Sequence, residues 1–121
     1  YDKNWYDLWS KRFTNPLSDA ETFKIDSDGV LMEIGNKTDR LEDIQGQFMG
    51  LIKITPKGWE KICSLLNRYS DNEISNLDIT ALLQKMIHEG IKILTIPIKD
   101  PWYEVDSEDD LLYYASLQNL W

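Results

Sequence analysis

A chain of 121 residues, 42% hydrophobic and carrying five tryptophans, is long enough for one domain with its own core and too apolar for a disordered segment. Its formal net charge of −8 repels phosphates, which excludes general affinity for nucleic acid or for an anionic membrane. One cysteine, Cys63, and one histidine, His88, rule out an internal disulfide and leave a zinc cluster or a Ser/His/Asp triad without support.

No run of about 18 apolar residues and no basic-then-apolar leader is present, so a cytoplasmic protein that neither spans nor crosses a membrane is expected. The chain opens at Tyr1, already inside a dense aromatic segment, which leads us to expect a single domain or fragment over residues 1–121, cut from something longer.

In chain order, "KNWYDLWSKR" places Trp5, Leu8 and Trp9 at helical spacing, with Asp2 as a candidate cap and both tryptophans as packing residues. "AETFKI" and "VLMEIG", joined by "DSDG", read as a β-hairpin whose Gly29 supplies the positive φ of the turn. Residues 36–46 read as loop. "QFMGLIKI" (47–54) reads as a strand apolar on both faces, hence central in a sheet. Thr55-Pro56 starts a helix that presents Trp59, Ile62, Cys63 and Leu66 on one face. "SDNEISN" reads as loop. Ile79, Leu82, Leu83, Met86 and Ile87 mark a further helix, with His88 near its negative end and Gly90 ending it. "IKILTIPI" (91–98) and "YEV" (103–105) read as strands, and Ser107 caps a last helix to about Leu117. Strands interleaved with helices give an α/β class, a sheet flanked by helices.

The segment "WYEVDSEDDLLYY" (102–114) puts Glu104, Asp106, Glu108, Asp109 and Asp110 within seven positions. Glu108, Asp109 and Asp110 follow the Ser107 cap, where each carboxylate offsets the free N–H groups by roughly 0.3–1 kcal/mol. Asp110 stands three residues after the cap and can complete a reciprocal capping contact. Asp106 differs. It ends a strand, where α/β sheets place ligands, and a carboxylate there suits Mg²⁺, which takes one or two carboxylates with phosphate and water. Trp102, beside it, is a candidate for an aromatic face against a cationic head group. Arg12 is a candidate for an acceptor phosphate, or for a surface pair with Asp7 or a nearby acid.

Together, "GQFMGLIKITPKGWEKI", "LDITALLQKMIHEGIKILTIPI" and "WYEVDSEDDLLYY" resemble the C-terminal half of the nucleoside-triphosphate transferases with a Rossmann-like, glycosyltransferase-A-type fold and a mixed sheet flanked by helices. "NWYDLWSKRFTNPLSDAETFKID" and "LMEIGNK" are similar to the branch that includes phosphocholine and aminoethylphosphonate cytidylyltransferases; sugar-phosphate nucleotidylyltransferases are related. The resemblance covers essentially the whole chain. It implies transfer of a nucleotidyl group from a nucleoside triphosphate, CTP above all, to a small phosphorylated head group, phosphonate or sugar phosphate, with Mg²⁺ as cofactor. It assigns metal binding to Asp106 and acceptor contact to Lys37, and more loosely to Glu21, Gln47 and Met49. It assigns no residue to the chemical step itself, and it admits a homodimer.

One departure matters. The family's Gly-rich L-x-x-G-x-G-x-R loop is missing from these residues, and the six glycines are scattered. The expectation is therefore an acceptor- and metal-binding half without its nucleotide-binding half, inactive alone. A non-catalytic module of degenerate transferase fold, binding a ligand or partner, is the alternative.

Overall fold

The structure, a computed structural model, describes residues 1–98 and 100–117. Its elements are α1 (Trp5–Arg12), β1 (Glu21–Ile25), β2 (Leu31–Lys37), α2 (Pro56–Leu66), α3 (Asp71–Ser75), α4 (Ile79–His88) and α5 (Glu108–Ser116), with 3₁₀ turns at Pro16–Ser18 and Leu41–Asp43. The class is mixed α/β, as expected. Among the described residues the only sheet is the antiparallel pair β1–β2.

The hairpin forms where its turn chemistry puts it. Asp26 Oδ1 accepts the N–H groups of Asp28 and Val30, both at 2.9 Å, and Gly29 takes φ +76°. Phe23 then faces Ile34, and Ile25 faces Leu31, with irregular register on either side. Phe23, Leu31 and Ile34 form one core with Ile62 and Leu65 of α2 and Leu83 and Met86 of α4. Helix α4 reaches the hairpin because residue 35 is glycine: φ there is +85°, and a Cβ would lie 2.9 Å from that of Thr80. At the same contact Gln84 Oε1 accepts the Ile34 N–H at 2.9 Å.

A second cluster joins Trp5, Trp9, Ala20 and Ile44, with Trp102 packed against it. The two tryptophans of α1 are thus packing residues, and Trp5 Nε1 donates to the Ile44 carbonyl at 3.2 Å. The residue before α1 is Asn4; Asp2 does not cap the helix but accepts the Asn4 N–H at 2.7 Å.

Five expectations are corrected. Residues 47–54 form no strand: Gln47 makes a single bridge to Asp2, and Leu51 beyond it is 79% exposed. Residues 91–98 make only isolated bridges, Val30 with Leu94 and Asp2 with Ile98, and residues 103–105 form no strand. A strand needs a neighbour, and among the described residues no further strand flanks these segments. Trp59 is exposed, since α2 buries the Ile62–Leu65 stripe instead. Residues 71–75, read as loop, are helix α3, started by a reciprocal capping box in which Ser70 and Glu73 each accept the other's N–H. In addition, Asn36 and Lys37 extend β2 into the region read as loop.

Gly90 ends α4 with φ +71°, Thr55 caps α2 through the Gly58 N–H, and Ser107 caps α5, each as expected. Among the described residues no helix is long and apolar enough to cross a membrane.

Candidate functional site

Two regions hold the residues singled out by sequence. The first is a cavity of about 150 Å³ at the end of the hairpin, whose lining includes Glu21, Thr22, Gln47, Phe48 and Thr80. Glu21 opens β1 and sits opposite Lys37, the last residue of β2, so strand register alone brings this acid–base pair together. Gln47 arrives from the other side, held by two backbone hydrogen bonds to Asp2 at 2.9 Å each. Gly46 permits this approach, because a Cβ there would collide with the Tyr1 ring. Thr80 enters from the first turn of α4, and its hydroxyl donates to the capping carboxylate of Asp78 at 3.0 Å.

The electrostatics of the cavity follow from this placement. Partial burial pushes the Glu21 carboxyl above its ordinary value, Asp78 pushes the same way, and Lys37 opposes both. Glu21 is thus the charged residue of the cavity lining, with Lys37 opposite it in the strand pair. Met49 does not line this cavity.

The second region is built around Arg12. The last residue of α1 points its guanidinium between the rings of Trp9 and Phe13, each 5.0 Å away, with 1% of its side chain exposed. It grips both carboxylate oxygens of Asp110, Nε to Oδ1 at 2.7 Å and Nη2 to Oδ2 at 3.0 Å. It also reaches Glu104 at 3.1 Å and Asp106 at 2.8 Å. Asp110 returns to the chain, accepting the N–H groups of Asp106 and Ser107, both at 3.1 Å. The bond from Arg12, ahead of the Ser107 and backbone contacts, holds the Asp110 carboxyl far below the usual carboxylate range. Glu104 moves upward, through burial and the neighbouring Asp106.

Asp110 serves the helix start as its spacing from Ser107 implies. Its partnership with Arg12 is a further role that sequence reasoning misses, because a pair 98 residues apart leaves no local pattern. Arg12 does pair with acids, but buried rather than on the surface, and with Asp110, Asp106 and Glu104 rather than Asp7.

The acceptor-site candidates divide. Glu21 and Gln47 line the hairpin cavity with Lys37 opposite Glu21 in the strand pair, whereas Trp102 lies against the Trp5–Trp9 cluster and donates from Nε1 to Asp2 Oδ2 at 2.9 Å. Asp106 stands apart at the end of the 102–106 segment, its side chain 64% exposed with Oδ2 on Arg12. Among the described residues no three His, Cys, Asp or Glu side chains are grouped to hold a metal ion. The donor set thus fits one carboxylate ligand of a Mg²⁺ site completed by phosphate, water and a ligand from elsewhere, and not a closed site.

The chain is 34% identical over 116 residues to the CTP:phosphoglutamine cytidylyltransferase of Campylobacter jejuni, an alignment covering 91% of this chain and 46% of that protein. It spans less than half the length of this curated relative. No family model and no solved structure matches the chain.

Proposed function

From a chain that is a relative of the cytidylyltransferases, we propose that these residues are the acceptor- and metal-binding half of a nucleotidyltransferase of glycosyltransferase-A-type fold. The reaction is transfer of CMP from CTP. An oxygen of a phosphorylated or phosphonate acceptor attacks the α-phosphorus, the bond to the β-phosphate breaks, and pyrophosphate leaves. The similarity to a named cytidylyltransferase over 91% of the chain carries this reading.

Glu21 in the lining of the hairpin cavity and Lys37 opposite it in the strand pair suit an acceptor with charge at both ends. Lys37, a compact and strongly hydrated cation, suits a phosphate or phosphonate. Glu21 and Asp78 suit an ammonium group, as in phosphocholine, aminoethylphosphonate or an amino-acid phosphate. Mg²⁺, when bound, draws negative charge from the α-phosphate, and Asp106 is the residue of this chain that would hold it. Arg12 keeps that carboxylate at the end of its segment, one oxygen anchored at 2.8 Å. The L-x-x-G-x-G-x-R loop that would cradle the triphosphate belongs to the companion half, so this chain by itself is inactive. The enzyme works in the cytoplasm, where CTP is available.

The test is a substrate panel on the intact enzyme, crossing CTP and UTP with phosphocholine, aminoethylphosphonate, phosphoglutamine and a sugar phosphate. Turnover with CTP and one zwitterionic acceptor is expected, lost in Asp106→Ala with folding retained. Absence of turnover with every pair, or full turnover in Asp106→Ala, would remove the reading or the residue respectively.

A further inference from the structure

We infer that the acceptor received by the hairpin cavity ends in a primary ammonium group, and that the cavity refuses the trimethylated equivalent. The inference rests on the functional reading above in taking this cavity as the acceptor site, and it narrows the ligand to one chemical class.

The first observation is what the lining offers. Glu21 is its charged residue, and among the described residues the half-buried carboxylate has no hydrogen-bond partner; Lys37 acts on it as a charge only. A carboxylate drawn out of water without a partner is costly, and a cation bearing N–H donors removes that cost. Thr80 Oγ1 gives its proton to Asp78 at 3.0 Å, so toward the cavity this oxygen can only accept. Gln47 is fixed by its backbone bonds to Asp2, and its side-chain amide supplies a third oxygen. A primary ammonium carries three N–H donors, as many as these acceptor groups.

The second observation is what the lining lacks. A trimethylammonium has no N–H group and is held by several aromatic faces around the cation. Two rings line this cavity, those of Phe23 and Phe48. Phe23 is 3% exposed, with its ring 5.0 Å from that of Tyr1, and has no open face to give. Phe48 alone is not a cage. Trp102, the other candidate for such a face, lies in the second cluster with Nε1 on Asp2. Methylation would also set carbon against Glu21 and leave its charge unpaired in a space of about 150 Å³.

The experiment uses pairs of ligands that differ only in methylation: phosphoethanolamine against phosphocholine, and aminoethylphosphonate against its N-trimethyl analogue. Calorimetry on the intact enzyme follows binding with Mg²⁺ and α,β-methylene-CTP present, a nucleotide that cannot transfer CMP. Each primary amine should bind at least about 10-fold more tightly than its trimethyl counterpart, because a site that hydrogen-bonds N–H groups rejects an analogue without them. Glu21→Gln should weaken the primary amines about 10-fold and bring the ratio within each pair close to one. Glu21→Asp keeps the charge and should keep the preference. Equal affinities within a pair, tighter binding of a trimethyl ligand, a preference that survives Glu21→Gln, or no binding by any of the four overturns the inference. CTP transfer is scored separately. Transfer confined to acceptors without an ammonium group leaves the functional reading and removes this inference, and the binding preference without any transfer does the reverse.

Discussion

The carboxylate of Asp2 accepts Trp102 Nε1 at 2.9 Å, while the backbone of the same residue is bonded twice to Gln47. Asp2 is 7% exposed and so couples the hairpin cavity to the segment that ends at Asp106. Replacing it with asparagine keeps one acceptor oxygen for two donors. We expect Asp2→Ala to cost about 1–3 kcal/mol, because the Trp102 and Asn4 N–H groups lose their partner, and Asp2→Asn to cost less. Urea unfolding of the two variants checks this, with Trp102 fluorescence reporting the local change.

Arg12 is the most consequential single side chain for stability. Removing one member of a buried, hydrogen-bonded charge pair costs about 3–5 kcal/mol, so Arg12→Met should approach the whole stability of a domain this small. Arg12→Lys should recover only part, since an ammonium cannot reproduce the fork on Asp110. Denaturant midpoints give the answer, and a midpoint for Arg12→Lys equal to that of the parent chain would contradict the bidentate geometry.

Acid stability follows from the same pair. The Asp110 carboxyl lies far below its unfolded value of about 3.9, so its contribution is complete above that pH and is lost as pH falls below it. Glu104 acts oppositely: its raised value means that protonation near and above its ordinary range favours the folded state. Unfolding free energy should therefore fall steeply below about pH 4. Asp110→Asn should flatten that limb, and Glu104→Gln should leave it in place.

Gly35 should resist substitution. Its φ of +85° and the 2.9 Å approach to Thr80 mean that Gly35→Ala strains the backbone and pushes α4 away from β2. The expected cost is about 1–3 kcal/mol, against a small effect, within about 0.5 kcal/mol, for the exposed Asp109→Asn in the first turn of α5. Thermal unfolding separates the two.

Lys37→Ala should raise the KM for the phosphorylated acceptor about tenfold in the intact enzyme, the loss of one solvent-facing charge contact, with the fold retained. Steady-state kinetics at saturating CTP check it, and an unchanged KM would detach Lys37 from the acceptor.

Much of this molecule is legible locally. The "DSDG" turn, the Thr55 and Ser107 caps and the glycine stop at residue 90 are decided by side chains a few residues from the backbone they satisfy. The Ser70–Glu73 box is equally local, yet it starts a helix of only five residues, too short to show an apolar period. The acceptor candidates Glu21 and Lys37 meet through hairpin register, which alternation and turn position imply.

Short-range pattern and residue identity along the chain are enough for the four longer helices, the hairpin and the likeness to cytidylyltransferases. Packing in three dimensions settles the rest. It makes Asp110 both the capping-box partner of Ser107 and the anchor of a buried arginine, and it places Trp102, the candidate for head-group contact, against the Trp5–Trp9 cluster with Nε1 on Asp2. It also leaves residues 51–54 without the ladder their composition calls for. Arg12 ties together the two sides of "WYEVDSEDDLLYY" on either side of Ser107. The physical reason is common to these cases: a charge pair or a strand is completed by a partner far away in sequence, and composition can announce the need for that partner without naming it.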